Sequence, residues 1–191
     1  MNKVYEEEKT FEKVDFTKNH LPAGDYEQCT FMSCNFSSTV LANINFNECV
    51  FTGCDLSMIK PQKTGFKDAR FKDSKLLGVN FSDCNKMLLK MAFENCVLNF
   101  SLFYKLNLKK TVFKNCMLRD TDFTEADLSG AVFDNCDMEM AKFENSILEG
   151  ADFRTAYNYG IDPAINRMKK AKFSHAGIAG LLYKYDIEIE D

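Results

Sequence analysis

Eight cysteines are the side chains best equipped for chemistry in this chain of 191 residues. Their spacing argues against a metal site, because pairs such as Cys29 and Cys34 lie five residues apart rather than in the C-x-x-C arrangement. The only two histidines, His20 and His175, are near no cysteine pair. Free cysteine commonly acts as a small buried hydrophobe. We therefore predict no metal, no cofactor and no disulfide.

Acidic side chains select no active site either. Many of them directly precede a large apolar residue at a regular interval, as Asp127 precedes Leu128 and Asp152 precedes Phe153. This regularity explains their closeness without any catalytic role. The sequence contains no glycine-rich phosphate loop, no nucleophile elbow and no cluster centred on histidine. We predict that the protein is not an enzyme.

Large apolar residues recur at every fifth position, and this spacing determines where all the remaining side chains lie. Neither a helix of period 3.6 nor a strand of period 2 produces it. The spacing meets a proline at Pro61 and slips by two residues before it resumes at Phe93. The apolar positions are Phe11, Phe16, Leu21, Tyr26, Phe31, Phe36, Leu41, Phe46, Phe51, Leu56, Phe66, Phe71, Leu76, Phe81, Phe93, Leu98, Phe103, Leu108, Phe113, Leu118, Phe123, Leu128, Phe133, Met138, Phe143, Leu148 and Phe153.

A longer period of 20 residues contains the short one. The run Phe93-Glu94-Asn95-Cys96 returns as Phe113-Lys114-Asn115-Cys116 and again as Phe133-Asp134-Asn135-Cys136. A coil that closes after four pentapeptides stacks identical residue types above one another, as solenoids do. Two positions in five then point inward, one large and one small, because a tight coil has little internal room.

The pattern of a small residue, Asp or Asn, and Leu or Phe identifies a resemblance. Ala126-Asp127-Leu128-Ser129-Gly130 and Ala151-Asp152-Phe153-Arg154-Thr155 resemble the pentapeptide-repeat family, and the resemblance covers about residues 11 to 156. It implies an all-β fold, a right-handed quadrilateral β-helix of about seven coils, with short C-terminal helices. Neighbouring coils would lie ~4.8 Å apart. Residues 1–10 would form an N-terminal cap, 11–156 the β-helix, and 157–191 a C-terminal cap and dimerisation segment.

The first break in the pattern runs from residue 57 to 65. Pro61 falls where a core residue is due, so we predict a loop that bulges outward. We favour a tolerated surface irregularity; a contact loop that carries Lys60 and Lys63 is the alternative, since loops often carry contacts. The partner contacts predicted on this loop are Met58, Ile59, Lys60, Gln62 and Lys63.

The second break runs from residue 82 to 92. Lys86 occupies the core place that follows Cys84, and Met87 and Leu88 are apolar without a clear phase. We predict a kink that joins two stacks of coils, with Leu88 in the interior. An exposed apolar hinge that receives a partner is the alternative.

The third break is the C-terminal tail. Asp162-Pro163 predicts a helix that continues to Lys170, and Ser174 could cap a second one. A short strand follows, and the tail either caps its own rod or builds a twofold dimer. The residues predicted at the dimer interface are Ile178, Leu181, Leu182, Tyr185, Ile187 and Ile189.

The tail also resembles that of the Qnr-type quinolone-resistance proteins, through Gly177-Ile178-Ala179-Gly180-Leu181-Leu182 and Tyr185-Asp186-Ile187-Glu188-Ile189. This resemblance implies a homodimer joined through its C-terminal ends. It also implies binding to DNA gyrase and topoisomerase IV, which those proteins protect from quinolones with the help of projecting loops. The alternative is a structural or scaffolding module with another protein partner.

Charge bears on the same question. The net charge of −4 and the isoelectric point near 5.3 describe a mildly acidic rod, as a protein that mimics DNA would need. Direct nucleic-acid binding is disfavoured, because phosphate contacts require basic patches. The charged N-terminal start and the absence of a long apolar run predict a cytoplasmic protein without a signal peptide or a membrane span.

Overall fold

The computed structural model describes residues 3–188. They form a right-handed quadrilateral β-helix of about seven turns, which confirms the predicted fold class. All strands pair in parallel, and partners are 20 residues apart through most of the chain, as Phe31 and Phe51 are. The strands are β1 (Val4–Glu7), β2 (Thr10–Glu12), β3 (Gly24–Glu27), β4 (Thr30–Met32), β5 (Asn45–Asn47), β6 (Val50–Thr52), β7 (Gly65–Lys72), β8 (Leu89–Glu94), β9 (Val112–Lys114) and β10 (Val132–Asp134).

Four short 3-10 helices complete the described elements. They are η1 (Phe81–Asp83), η2 (Lys86–Leu88), η3 (Ile178–Leu181) and η4 (Tyr183–Tyr185). Among residues 3–188, no helix has the length and the apolar character that a membrane crossing requires.

We name the four sides of the coil faces 1 to 4 in chain order. The inward columns are, on face 1, Tyr26, Phe46, Phe66, Leu108, Leu128, Leu148 and Met168; on face 2, Phe11, Phe31, Phe51, Phe71, Phe93, Phe113, Phe133, Phe153 and Phe173; on face 3, Phe16, Phe36, Leu56, Leu76, Leu98, Leu118 and Met138; and on face 4, Leu21, Leu41, Pro61, Phe81, Phe103, Phe123 and Phe143. Face 2 holds nine rings in one ladder. Successive ring centroids are 4.8–5.3 Å apart, with planes within 14° of parallel.

The corners of the coil explain why Asp and Asn so often precede the large apolar residue. Their side chains accept a hydrogen bond from the backbone N–H two residues further on, as Asp122 does from Thr124 at 2.8 Å and Asp127 from Ser129 at 3.1 Å. Such turns are the habit of Asp and Asn side chains. The second residue after the core position then takes a left-handed backbone, with φ of +55° at Glu125. A closed corner therefore follows each inward residue.

The small inward residue fastens one coil to the coil before it. Its side chain donates a hydrogen bond to a backbone carbonyl oxygen of that coil, as Ser101 does to Leu76 at 2.8 Å and Ser146 to Phe123 at 2.9 Å. The Cys34 thiol makes the same contact with the carbonyl of Phe11 at 3.3 Å. Buried carbonyl groups at the corners are thereby satisfied by Ser, Thr and Cys alike.

Residues 57–65 do not form the projecting loop that the sequence predicts. Pro61 is buried in the inward column of face 4, where its ring fills the apolar place. Backbone hydrogen bonds hold the segment in the stack, from Lys60 N–H to the Thr39 carbonyl at 2.8 Å and from Leu41 N–H to the Lys60 carbonyl at 3.1 Å. Proline differs from the other column members in lacking an N–H to donate. The predicted outward bulge is therefore wrong.

The second break is a two-residue insertion on face 1. Phe71 pairs with Phe93, 22 residues away instead of 20, and their rings still stack at 5.2 Å. The extra residues form η2, whose preceding Asn85 accepts a hydrogen bond from the Met87 N–H at 3.2 Å. Leu89, and not the predicted Leu88, packs against the core. The ladder of rings on face 2 is therefore continuous past the insertion, and the extra residues lie at the surface.

The C-terminal segment continues the coil where the sequence predicts a helix at 164–170. Arg167 bridges to Ile147 on the coil before it, and the Asn166 side chain donates to the Phe143 carbonyl at 2.7 Å. This side-chain bond takes the place of the helical hydrogen bonds that the Asp162 cap would have started. Only η3 and η4 follow. Ile187 is in no strand, and Ile189 lies outside the described residues.

Candidate protein-binding surface

The cysteines offer no reactive site. All eight are free and buried, and residues 3–188 contain no group of His, Cys, Asp and Glu placed to hold a metal ion. Burial raises the pKa of the Cys49 thiol and of the Cys54 thiol to about 12. A hydrogen bond with Cys136, together with burial, raises the pKa of the Cys116 thiol to about 12. A buried neutral thiol is neither a nucleophile nor a metal ligand.

The five predicted partner contacts at 58–63 divide between the surface and the core. Met58, Lys60, Gln62 and Lys63 are exposed, each at an outward place of a regular coil. Ile59 is only 3% exposed, because it takes the small inward place before Pro61, and it offers nothing to a partner. The segment therefore presents a flat surface with two lysines, not a loop.

Met58 belongs to a cluster of exposed apolar side chains on the edge between faces 3 and 4. Backbone hydrogen bonds align the coils there, from Met58 N–H to the Leu77 carbonyl at 2.8 Å and from Gly78 N–H to the Asn99 carbonyl at 2.9 Å. The Met58 side chain lies over Gly78, where a Cβ would stand 2.5 Å from its sulfur. We call this group the apolar corner: Val40, Met58, Leu77, Phe100 and Leu102, with Lys60 and Asn80 between Val40 and Leu102 in the stack.

Phe100 is the most unusual member of the apolar corner. It is 57% exposed and holds a left-handed backbone with φ of +61°, at the place where other coils put Asp120, Asn135 or Gly78. A bulky residue in this conformation is uncommon and costly relative to Gly or Asn. The sequence contains this signal, since Phe100 stands two residues after the core Leu98, but Phe100 belongs to a regular coil and lies outside the three breaks in the repeat.

The insertion carries a second exposed apolar residue. Met87, in η2, is 93% exposed and stands out from face 1. The tail lies elsewhere, against the last coil: the Ile161 N–H donates to the Gly180 carbonyl at 2.9 Å, and Lys184 pairs with Asp162 at 2.7 Å.

The predicted interface residues of the tail differ in exposure. Leu181 packs against the core and Leu182 is half-buried, whereas Ile178, Tyr185 and Ile187 are exposed. The structure therefore gives the tail a contact with its own rod.

Comparisons with known proteins agree with this architecture. A family model described as a pentapeptide repeat region matches residues 7–81 and 86–157. Among curated proteins, no significant match to the sequence was found. The solved structure of full-length QnrB1, a plasmid-mediated fluoroquinolone resistance protein, aligns with a TM-score of 0.54 and 15% identity, over 96% of this chain and 100% of that one.

Two further solved structures are similar. A trypsin-treated variant of QnrB1 aligns with a TM-score of 0.55 and 19% identity, over 98% of this chain and 92% of that one. HetL, a pentapeptide repeat protein involved in heterocyst differentiation regulation from the cyanobacterium Nostoc, aligns with a TM-score of 0.49 and 16% identity, over 90% of this chain and 85% of that one. At these identities the likeness to QnrB1 establishes the fold alone.

Proposed function

Because this chain belongs to the pentapeptide-repeat family, we propose that it is a non-catalytic rod that binds another protein through its apolar corner. The partner in this proposal is DNA gyrase or topoisomerase IV. The observation that carries the proposal is the exposure of five apolar side chains, Phe100 among them, on one edge of the coil.

The apolar corner has the properties of a contact surface. Contiguous exposed apolar side chains on a soluble protein commonly mark a place where a partner binds. Aromatic residues and methionine are enriched in the buried centres of interfaces, and Phe100 and Met58 supply both. The corner is rigid, because each of its residues sits on a backbone held by hydrogen bonds to the neighbouring coils. A rigid surface loses little entropy when it binds.

Two observations support a type II topoisomerase as the partner. The chain aligns along the whole length of QnrB1, which is described as a fluoroquinolone resistance protein. The tail motif around Gly180 and Leu181 also resembles the tail of Qnr-type proteins, whose partners are these enzymes. The fold does not by itself select a partner, since one fold carries many functions.

Gyrase supercoiling in the presence of a quinolone tests the proposal, together with direct measurement of gyrase binding. We expect the wild-type protein to bind gyrase and to restore supercoiling. Phe100→Asn should weaken binding by about tenfold or more, as the loss of a central aromatic contact does. Asn tolerates the left-handed backbone and occupies the same place at Asn135, so the coil should stay folded.

Val112→Thr is the matched control, because Val112 is also exposed but lies on face 2. Its gyrase binding should equal that of the wild type. If Phe100→Asn binds as tightly as the wild type, the apolar corner is not the contact. If the wild type neither binds gyrase nor affects supercoiling, gyrase is not the partner.

A scaffold for a different protein is the second candidate function, and one observation favours it. Residues 57–65 follow the coil instead of projecting from it, whereas the Qnr-type proteins use projecting loops. If the wild type does not bind gyrase, a scaffold for a different protein is the candidate function that remains.

A further inference from the structure

Face 1 divides its charge between its two ends. In its N-terminal part, residues 4–9, 24–28, 44–48 and 64–68 contain seven acidic and two basic residues, a net charge of −5. In its C-terminal part, residues 86–90, 106–110, 126–130, 146–150 and 166–170 contain seven basic and two acidic residues, a net charge of +5. We call these the acidic half and the basic half of face 1. The net charge of −4 for the whole chain conceals this division.

Most acidic residues of the acidic half form no ion pair within residues 3–188. Glu7 lies directly beside Glu27 in the parallel pairing of β1 with β3. Neutral amides bridge the coils here: Asn47 donates to Glu27 at 3.2 Å, and Gln28 donates to Glu48 at 3.3 Å. Neighbouring like charges on adjacent strands are destabilising. Among residues 3–188, the acidic residues of this half without an ion pair are Glu7, Glu8, Asp25, Glu27 and Glu48.

The basic half has the opposite imbalance. Lys109 pairs with Asp127 at 3.2 Å, and Arg167 pairs with Glu149 at 2.8 Å. Within the same described range, the basic residues without an ion pair are Lys86, Lys110, Lys169 and Lys170, all of them exposed. Each half therefore presents a surplus of one sign to solvent.

The boundary between the halves carries the most exposed apolar side chain of face 1. Met87 projects there from the insertion, and Lys90 reaches back to pair with Asp68 of the acidic half. An apolar centre flanked by polar and charged residues is the usual layout of a protein interface. At ~4.8 Å per coil, face 1 is about 40 Å long.

We propose that face 1 binds a second copy of this chain in an antiparallel, side-by-side dimer. A twofold axis that lies in the interface and crosses both rods at Met87 sets the acidic half of each copy against the basic half of the other. Met87 meets its own counterpart at the axis, as residues on an axis do in a symmetric interface. Charge complementarity selects a second copy as the occupant, because one chain supplies a net charge of −5 in one half of the face and +5 in the other. This dimer is independent of the apolar corner and of the C-terminal tail.

Charge reversal in pairs tests the proposal, with sedimentation equilibrium on the full chain as the measurement. The wild type should sediment at twice the 21.9 kDa of one chain in about 50 mM salt, and should dissociate in about 500 mM salt, because exposed charges are screened within ~10 Å at 0.1 M. The variants Glu27→Lys with Glu48→Lys and Lys110→Glu with Lys170→Glu should each be monomeric in about 50 mM salt. An equal mixture of the two variants should form a heterodimer, because the first keeps its basic half at +5 and the second keeps its acidic half at −5, while the changed halves fall to −1 and +1.

The control is Asp120→Lys with Glu144→Lys, which changes the net charge by the same amount as Glu27→Lys with Glu48→Lys but lies outside face 1. This variant should dimerise as the wild type does. Circular dichroism and melting temperature should match the wild type for all variants. Glu125 occupies the same repeat position as Lys110, so this position at the corner accepts either Glu or Lys.

Three results would overturn the proposal. The first is a wild type that is monomeric in about 50 mM salt, where charge attraction reaches furthest. The second is a dimer that survives both paired reversals, which would place the interface outside face 1. The third is a mixture of the two variants that stays monomeric, which would show that the halves do not meet.

Discussion

Phenylalanines make up nearly all of the largest fully buried side chains of the core. Phe113 is fully buried between Phe93 and Phe133, with ring centroids at 5.2 and 5.1 Å. Phe113→Ala should lower the free energy of unfolding by about 3–5 kcal/mol, because the rigid coils around it cannot close the cavity. Thr124→Ala is the control, since Thr124 faces outward and its loss should cost less than about 0.5 kcal/mol. Equal melting temperatures for the two variants would contradict the inward placement of Phe113.

The cysteines should resist alkylation while the coil is folded. Burial and the raised pKa values of Cys49, Cys54 and Cys116 leave almost no thiolate in neutral solution. We expect iodoacetamide at about pH 8 to label none of the eight in native protein and all eight in denaturant, as measured by mass spectrometry; the ordinary thiol pKa is ~8.5. Rapid labelling of the native protein would show that at least one coil opens easily.

At the scale of the element, the insertion is an addition to a complete coil. Phe71 and Phe93 stack across it as closely as other pairs of face 2. Removal of Lys86 and Met87 would restore the 20-residue period and place Leu88 two residues after Cys84, where the repeat calls for a large apolar side chain. We expect the shortened protein to melt within about 3 °C of the wild type, or higher, since 1 kcal/mol corresponds to ~2–4 °C in a chain of this size.

The control for this deletion is removal of Thr124 and Glu125, which would take two residues from a coil that already has the regular period. That variant should melt far lower, because every later inward residue would lose its column. Loss of the cooperative transition in the first deletion would show that the insertion is needed for folding. A wild-type melting temperature for the control would show that the coil tolerates the loss of two residues without regard to the period.

At the scale of the whole molecule, the tail covers the C-terminal end of the rod. Leu181 packs against the core, and the Tyr183 ring comes within 3.1 Å of where a Cβ on Gly160 would stand. A chain that ends after Phe173 should lose about 1–3 kcal/mol, because it exposes this apolar surface. A chain that ends after Asp186 keeps these contacts and should melt as the full chain does. Equal melting of the two shortened chains would mean that the tail is no cap.

The repeat in the sequence determined the fold and the inward residues. Each corner is formed by five consecutive residues, which supply an Asx turn, a left-handed residue and a small inward side chain. The sequence therefore predicts the corners without knowledge of distant contacts. The same local logic failed at Asp162-Pro163, where a helix start was predicted, because the Asn166 side chain instead satisfies the Phe143 carbonyl of the coil before it.

Only the tertiary structure decided what the surface presents. Pro61 stays in the core because backbone hydrogen bonds to the neighbouring coils hold its segment in the stack. Ile59 is buried for the same reason, so it cannot contact a partner protein. The apolar corner and the two halves of face 1 are assembled from residues 20 or 22 apart, whose outward side chains the core does not constrain. The types of these outward residues are known from the sequence. Which of them become neighbours depends on the stacking of coils, and the two-residue insertion at Met87 changes that stacking.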